Sequence, residues 1–162
     1  MYSLVTTRFN QLTWDENCRY RTHHKINGCI YGSPNTMSPK IIQETIVFVV
    51  EMNNDLNRIE GIGLVRNITH SDKYYSIYKG GNYNRYTYKG DYRMDRENLI
   101  RINNELVIIL DYILFKEKTH LKRGAGFTSF PDKLYKHKKC EHIHLKDEIR
   151  KAFLTMFEKA PC

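Results

Sequence analysis

Ile46-Val47-Phe48-Val49-Val50-Glu51-Met52-Asn53-Asn54-Asp55 is the stretch that decides how this chain folds. Its apolar residues are almost all β-branched or aromatic and run without alternation, the pattern of a strand covered on both faces. We therefore expect a buried strand over Glu44 to Glu51. Asn53-Asn54-Asp55 then turns the chain, and Arg58 to Arg66 returns as a second strand containing Gly61-Ile62-Gly63, a hairpin with a loop of about five or six residues.

Upstream, Tyr2 to Phe9 alternates apolar and polar residues and reads as a half-buried strand. Thr13 with Glu16 three positions on forms a capping-box pattern, predicting a helix from Trp14 to His24 that stops before Asn27-Gly28. Cys29 to Tyr31 is a short apolar strand, and Gly32-Ser33-Pro34-Asn35 a turn. Downstream, Lys73 to Tyr92 is dense in tyrosine and broken by glycines, which predicts two short strands or a strand and a loop. Leu99, Ile102, Leu106, Ile109, Leu110 and Ile113 fall at helical spacing within Glu97 to Phe115. His120 to Phe130 reads as a strand ended by Pro131. Leu145 to Glu158 reads as a last helix with Ile149, Phe153, Met156 and Phe157 on its buried face.

The 162 residues suit one domain spanning the chain, and 41% hydrophobic with 27% charged residues is ordinary globular usage. Sixteen Ile, 13 Asn, 15 Lys and 12 Tyr against three Ala match A/T-rich codons, so tyrosine abundance alone is not a functional signal. The net charge of +8 is uneven: Met1 to Asp72 balances, whereas Lys73 to Arg101 and Lys116 to Cys162 carry all the excess. A basic half of this kind fits a polyanion partner, because each cation beside a phosphate releases a counterion; a solvated surface is the plainer alternative. No run approaches the roughly 20 apolar residues that span a bilayer. Met1 to Phe9 lacks a signal-peptide pattern, and Cys18, Cys29, Cys140 and Cys162 read as reduced thiols, so an intracellular, unsecreted protein without disulfides is expected.

The order strand, helix, short strand, Gly32-Ser33-Pro34-Asn35 loop, then an apolar strand and a glycine-bearing return resembles the PUA-like superfamily, in particular its EVE and YTH branches. The residues carrying the resemblance are Cys29 to Asn35, Ile46 to Asn54 and Ile59 to Val65. The chain also resembles single-domain proteins of large DNA viruses with A/T-rich genomes, which would place it in the host cytoplasm or nucleus. The PUA-like resemblance implies an α+β fold, a mixed β-barrel flanked by helices, with a base pocket. Tyr31 stands where YTH domains carry a tryptophan, and Trp14 is the only tryptophan, so a three-tryptophan cage is not reproduced.

Aromatic faces and short polar groups hold an unpaired base by stacking and edge hydrogen bonds. Trp14, Tyr31, Ser33 and Asn35 are the expected base pocket, with a core tyrosine and a turn-forming asparagine as the alternative. Lys122 and Arg123, beside Gly124 and Gly126, and Arg85 and Lys89, within Tyr83 to Lys89, are the expected contacts to the nucleic-acid backbone. Equally, these could be an exposed loop and a plain tyrosine-rich strand.

The expectation is a monomeric, non-catalytic module binding single-stranded RNA or DNA, RNA foremost, with a plain or modified base in its pocket and no cofactor or metal. Three rivals stand. A zinc site could draw on His137, Cys140, His142 and His144, or on Cys18, His23, His24 and Cys29, though no paired-cysteine knuckle is present. Asp91, Asp95 and Glu97 could bind a metal for phosphodiester cleavage, though Arg93, Arg96 and Arg101 are simpler partners for them. A protein-interaction adaptor with an incidental basic face is the third.

Overall fold

A computed structural model describes residues 1–162. The apolar run that begins at Ile46 forms β3 (Ile46–Asn53), and every residue in it is buried. Successive side chains of a strand point to opposite faces, so Phe48, Val50 and Met52 enter one core while Val47 and Val49 enter another. Truncating a fully enclosed ring such as Phe48 to alanine costs about 3–5 kcal/mol at sites of this kind.

Parallel β1 (Tyr2–Phe9) lies on one side of β3 and antiparallel β4 (Arg58–Arg66) on the other. With β6 (Tyr92–Asp95) and β7 (Phe127–Ser129) at its edges, the five-stranded mixed sheet has the order β6-β4-β3-β1-β7. The hairpin loop, Asn54–Asn57, is shorter than the spacing predicts. Asn53 tightens it, its Oδ1 accepting from the amides of Asp55 and Leu56, both at 3.1 Å. The strand expected over His120 to Phe130 contracts to β7.

A second sheet pairs β2 (Cys29–Ser33) with antiparallel β5 (Tyr86–Gly90) and lies against β4. The glycines explain how close it comes. A Cβ on Gly63 would lie 2.1 Å from the Tyr31 hydroxyl, and one on Gly90 would lie 1.9 Å from the Leu64 carbonyl. The expected closed barrel is not formed. β2 and β5 spend their ladder hydrogen bonds on each other and do not join the larger sheet, so β6 and β7 remain its edges. The fold is α+β with a mixed sheet and four helices.

Helix α1 (Gln11–His23) begins earlier than expected, because Asn10 rather than Thr13 is its cap. Asn10 Oδ1 accepts from the Thr13 amide at 2.8 Å, and Thr13 Oγ1 accepts from the Asn10 amide at 3.1 Å. Glu16 is instead buried and accepts from the Lys79 amide at 2.8 Å. Helix α2 (Arg96–Phe115) breaks at Asn103, where φ is −154° and ψ 83°. Asn103 Oδ1 accepts from the Leu106 amide and so caps the second half. With α3 (Asp132–Tyr135) and α4 (Leu145–Met156), α2 covers one face of the large sheet, while Trp14 of α1 and the small sheet cover the other. Met156, expected on the buried face of α4, is 39% exposed. No helix is long and apolar enough to cross a membrane.

Candidate nucleic-acid interface

The base pocket expected from the sequence is filled by its own side chains. Tyr31 is 1% exposed, and its hydroxyl donates to Glu51 Oε2 at 2.6 Å. Glu51 is completely buried and also receives Arg93 through Nε at 2.9 Å and Nη2 at 2.6 Å. Arg93 and Arg21 each place a guanidinium 5.4 Å from the centroid of the Trp14 ring, and Phe9 meets that ring edge-on at 5.0 Å. Ser33 is fully buried, its Oγ donating to the Asn35 carbonyl and accepting from the Asn35 amide, and Asn35 is an exposed turn residue. Trp14, Tyr31, Ser33 and Asn35 thus do not enclose a common space, and a base has no route to the Tyr31 ring.

Burial, then the neighbouring Glu51 carboxylate, pushes the Tyr31 hydroxyl well above its ordinary pKa, so it stays a proton donor. Burial likewise pushes the Cys29 thiol up to about 12, the reverse of a reactive cysteine. Burial opposes the charge of Arg93, yet Glu51 holds its pKa above the usual value. This is a structural ion pair.

An open cleft lies elsewhere. Its volume is about 700 Å³, within the range of ligand sites. Tyr20, His24 and Lys25 come from the end of α1, Arg66 from the end of β4, His70, Lys73 and Tyr75 from the segment after it, and Lys89 from β5. A neighbouring cleft of about 490 Å³ shares Tyr20, His24 and Lys73 and adds Arg19, His23, Tyr74 and Lys79. The carboxylates on these walls are Asp91 and Glu16, the latter held by the Lys79 amide.

None of the six cations Arg19, Lys25, Arg66, Lys73, Lys79 and Lys89 takes part in an ion pair. The ion pairs of the molecule use Arg58, Arg93, Arg96 and Lys151, and His137 and His144 lie beside Glu117 and Asp147. Lys73 and Lys89 place their ammonium groups 5.1 Å and 5.0 Å from the centroid of the same Tyr75 ring. Lys89 Nζ donates to the Tyr75 hydroxyl at 2.9 Å, and that hydroxyl donates to Asp72 at 2.7 Å. The bond to Tyr75 raises the pKa of Lys89, keeping it charged, while burial and then Lys89 lower that of His70.

Lys25 has the left-handed φ of 53° that usually calls for glycine. Its amide bonds the Thr22 carbonyl and the next amide, of Ile26, bonds that of Arg21, closing α1 with a cation where glycine is the easier choice. Unpaired positive charge converging on a recess strengthens the local field and gathers anions there.

Of the four expected backbone contacts, only Lys89 lines this cleft. Lys122 lines a separate cavity of about 210 Å³ beside Arg8, and its ammonium donates to Asn57 Oδ1 at 2.7 Å. Arg8 donates to the carbonyls of Leu121, Gly124 and Gly126 and to Thr128 Oγ1, so this loop turns carbonyls toward a cation and is no phosphate cradle. Arg123 is exposed outside these cavities, and Arg85 is exposed against the Tyr86 ring. His137 Nε2 lies 3.0 Å from Glu117, Cys140 is buried, and no three His, Cys, Asp or Glu side chains converge on a metal position. Asp95, which caps α2, and Glu97 both line another cavity with Trp14, whereas Asp91 borders the large cleft, so the three carboxylates do not converge on one metal position.

No family model matches the chain. No solved structure matches it either. The chain is similar to a subunit of the ATP-dependent helicase/deoxyribonuclease of Clostridium botulinum (strain Loch Maree / Type A3), with 26% identity over 146 residues. That alignment covers 90% of this chain and 11% of the bacterial protein, so the chain spans about a tenth of the relative's length. Such a likeness places the chain in no family.

Sequence reasoning missed Arg19, Tyr20, Lys25, Arg66, His70, Tyr74 and Tyr75. Lys73-Tyr74-Tyr75 does open the basic stretch evident in the sequence, and that was the available signal. Arg19, Lys25 and Arg66 belong to the charge-balanced part, Met1 to Asp72, where counting by segment conceals them.

Proposed function

We propose that this protein is a non-catalytic nucleic-acid-binding module, with RNA the foremost class, and that its basic cleft takes the sugar–phosphate backbone. The observation that carries the reading is the set of six cations without carboxylate partners around two adjoining clefts, whereas Arg93 and Arg96 are each paired with a carboxylate. Lys73 and Lys89, steadied by the Tyr75 ring, supply fixed positive charge; Arg66 and Lys25 extend it along the wall. The name of the bacterial relative describes a protein acting on DNA, which agrees with a nucleic-acid partner, and its helicase and nuclease activities are not carried over. A PUA-like kinship belongs to the same proposal. The strand, helix, strand order and the glycine-bearing hairpin support it, and the open sheet departs from it.

Fluorescence anisotropy against labelled RNA and DNA across a salt series tests the proposal. Affinity should fall steeply with salt, each phosphate contact contributing about −0.7 to the log–log slope for single strands. Lys73→Glu with Lys89→Glu should weaken binding at least tenfold and flatten the slope by about 1.4, the value for two phosphates no longer neutralised, with an unchanged circular dichroism spectrum. Undiminished affinity in a folded double variant would end this reading.

A further inference from the structure

Tyr74 is 65% exposed, more than any other tyrosine, phenylalanine or tryptophan in the protein. Such a ring would ordinarily be free to turn, but this one is tethered: Asn84 Nδ2 donates to its hydroxyl at 3.2 Å. Asn84 is 4% exposed and is itself fixed, its Oδ1 accepting from the amides of Ile77 at 3.1 Å and Tyr78 at 2.9 Å. The same Nδ2 also donates to the Tyr78 carbonyl at 2.6 Å. Neither the aromatic pairs nor the cation–ring contacts of the molecule involve Tyr74, so no other ring or cation covers its face, in contrast to Tyr75 next to it, which carries two lysines. Arg19, Lys73 and Lys79 line the cleft that this ring borders.

We infer that Tyr74 is the stacking platform for an unpaired nucleobase, which makes the ligand of the cleft a single strand. The inference rests on the nucleic-acid reading above and adds to it where the base sits. A planar apolar face held rigid loses little freedom when a second plane settles on it. Arg19, Lys73 and Lys79 line the same cleft and are available to the phosphates flanking that base, and Lys73 borders both clefts, linking the base seat to the backbone path. Double helices bury the faces of their bases in the stack and cannot use such a platform. Tyr83, 45% exposed, lines the small cavity beside Arg8 and serves as an internal control.

The test compares a short labelled oligouridylate, a duplex of equal length, and heparin, which carries charge without bases. Tyr74→Ala should weaken oligouridylate binding roughly tenfold or more, as loss of a stacked base does, with no change in salt slope and none in heparin affinity. Tyr74→Phe should retain most of the affinity, and Tyr83→Ala all of it. Full oligouridylate affinity in Tyr74→Ala, or an equal loss toward heparin, overturns the platform while leaving the phosphate path intact. If the wild-type protein binds none of the three, the path and the platform fall together.

Discussion

Two regions of this molecule use the same parts to opposite ends. Around Tyr31, a tyrosine, a carboxylate and a guanidinium meet with almost no solvent: Tyr31 and Arg93 both bond Glu51, and the charges of Glu51 and Arg93 answer each other. Around Tyr75, a tyrosine, a carboxylate and two ammonium groups also meet, but there the hydroxyl occupies Asp72 and the lysines keep their charge toward an open cleft. What separates structure from site is whether the charges are spent. A buried ion pair is costly to desolvate and must be complete to be tolerated, whereas an exposed cation without a partner is free to meet a ligand.

The largest effect expected follows from breaking the closed region. Arg93→Met leaves Glu51 buried with no cationic partner, and orphaning one member of such a pair costs about 3–5 kcal/mol. Urea unfolding should show that loss. A variant as stable as the wild type would mean that the buried pair is dispensable, and the contrast between the two regions would lose its structural half.

A smaller change sharpens the same contrast. Tyr31→Phe keeps the ring in the core and removes only the hydroxyl that donates to Glu51, a charged-acceptor bond worth about 1.5–3 kcal/mol. Stability should drop by that order while affinity for single strands stays as it was. Weakened binding by a folded Tyr31→Phe protein would restore Tyr31 to the site that its burial excludes.

These expectations also locate what could be read from the sequence. The bounds of β1 and β4 follow from local pattern, since alternation and a β-branched run are properties of neighbours in the chain, and β3 lies within two residues of its expected span. Helix α1 is displaced because Thr13 can serve equally as a cap or as the third residue behind Asn10, and only the backbone decides. The pairing of β2 with β5 and the failure of the sheet to close depend on contacts between distant segments, which no local spacing encodes. So does the fate of Arg93, whose partner Glu51 is 42 positions away. The cleft is concealed for the same reason: its cations arrive singly from α1, β4, the following segment and β5, and among the backbone contacts expected from the sequence Lys89 alone reaches it.

The finest probe is pH, acting through His70 on the wall of the open region. Burial, followed by Lys89, lowers the pKa of His70 in the folded protein. As pH falls through about 6.5, the ordinary histidine value, the unfolded chain takes up its proton first. The stability contributed by neutral His70 is therefore present above that pH and is lost below it, down to the folded pKa. Phosphates in the cleft reverse the preference, because an anion beside the ring favours the imidazolium. Binding must then take up a proton, and affinity should increase as pH is lowered from about 8 to about 6. His23 and His24 border the same clefts, so the informative quantity is the difference between wild type and His70→Gln. A pH dependence of affinity identical in the two proteins would show that bound phosphate does not come near His70, and would confine the nucleic-acid path to the Tyr74 side of Lys73.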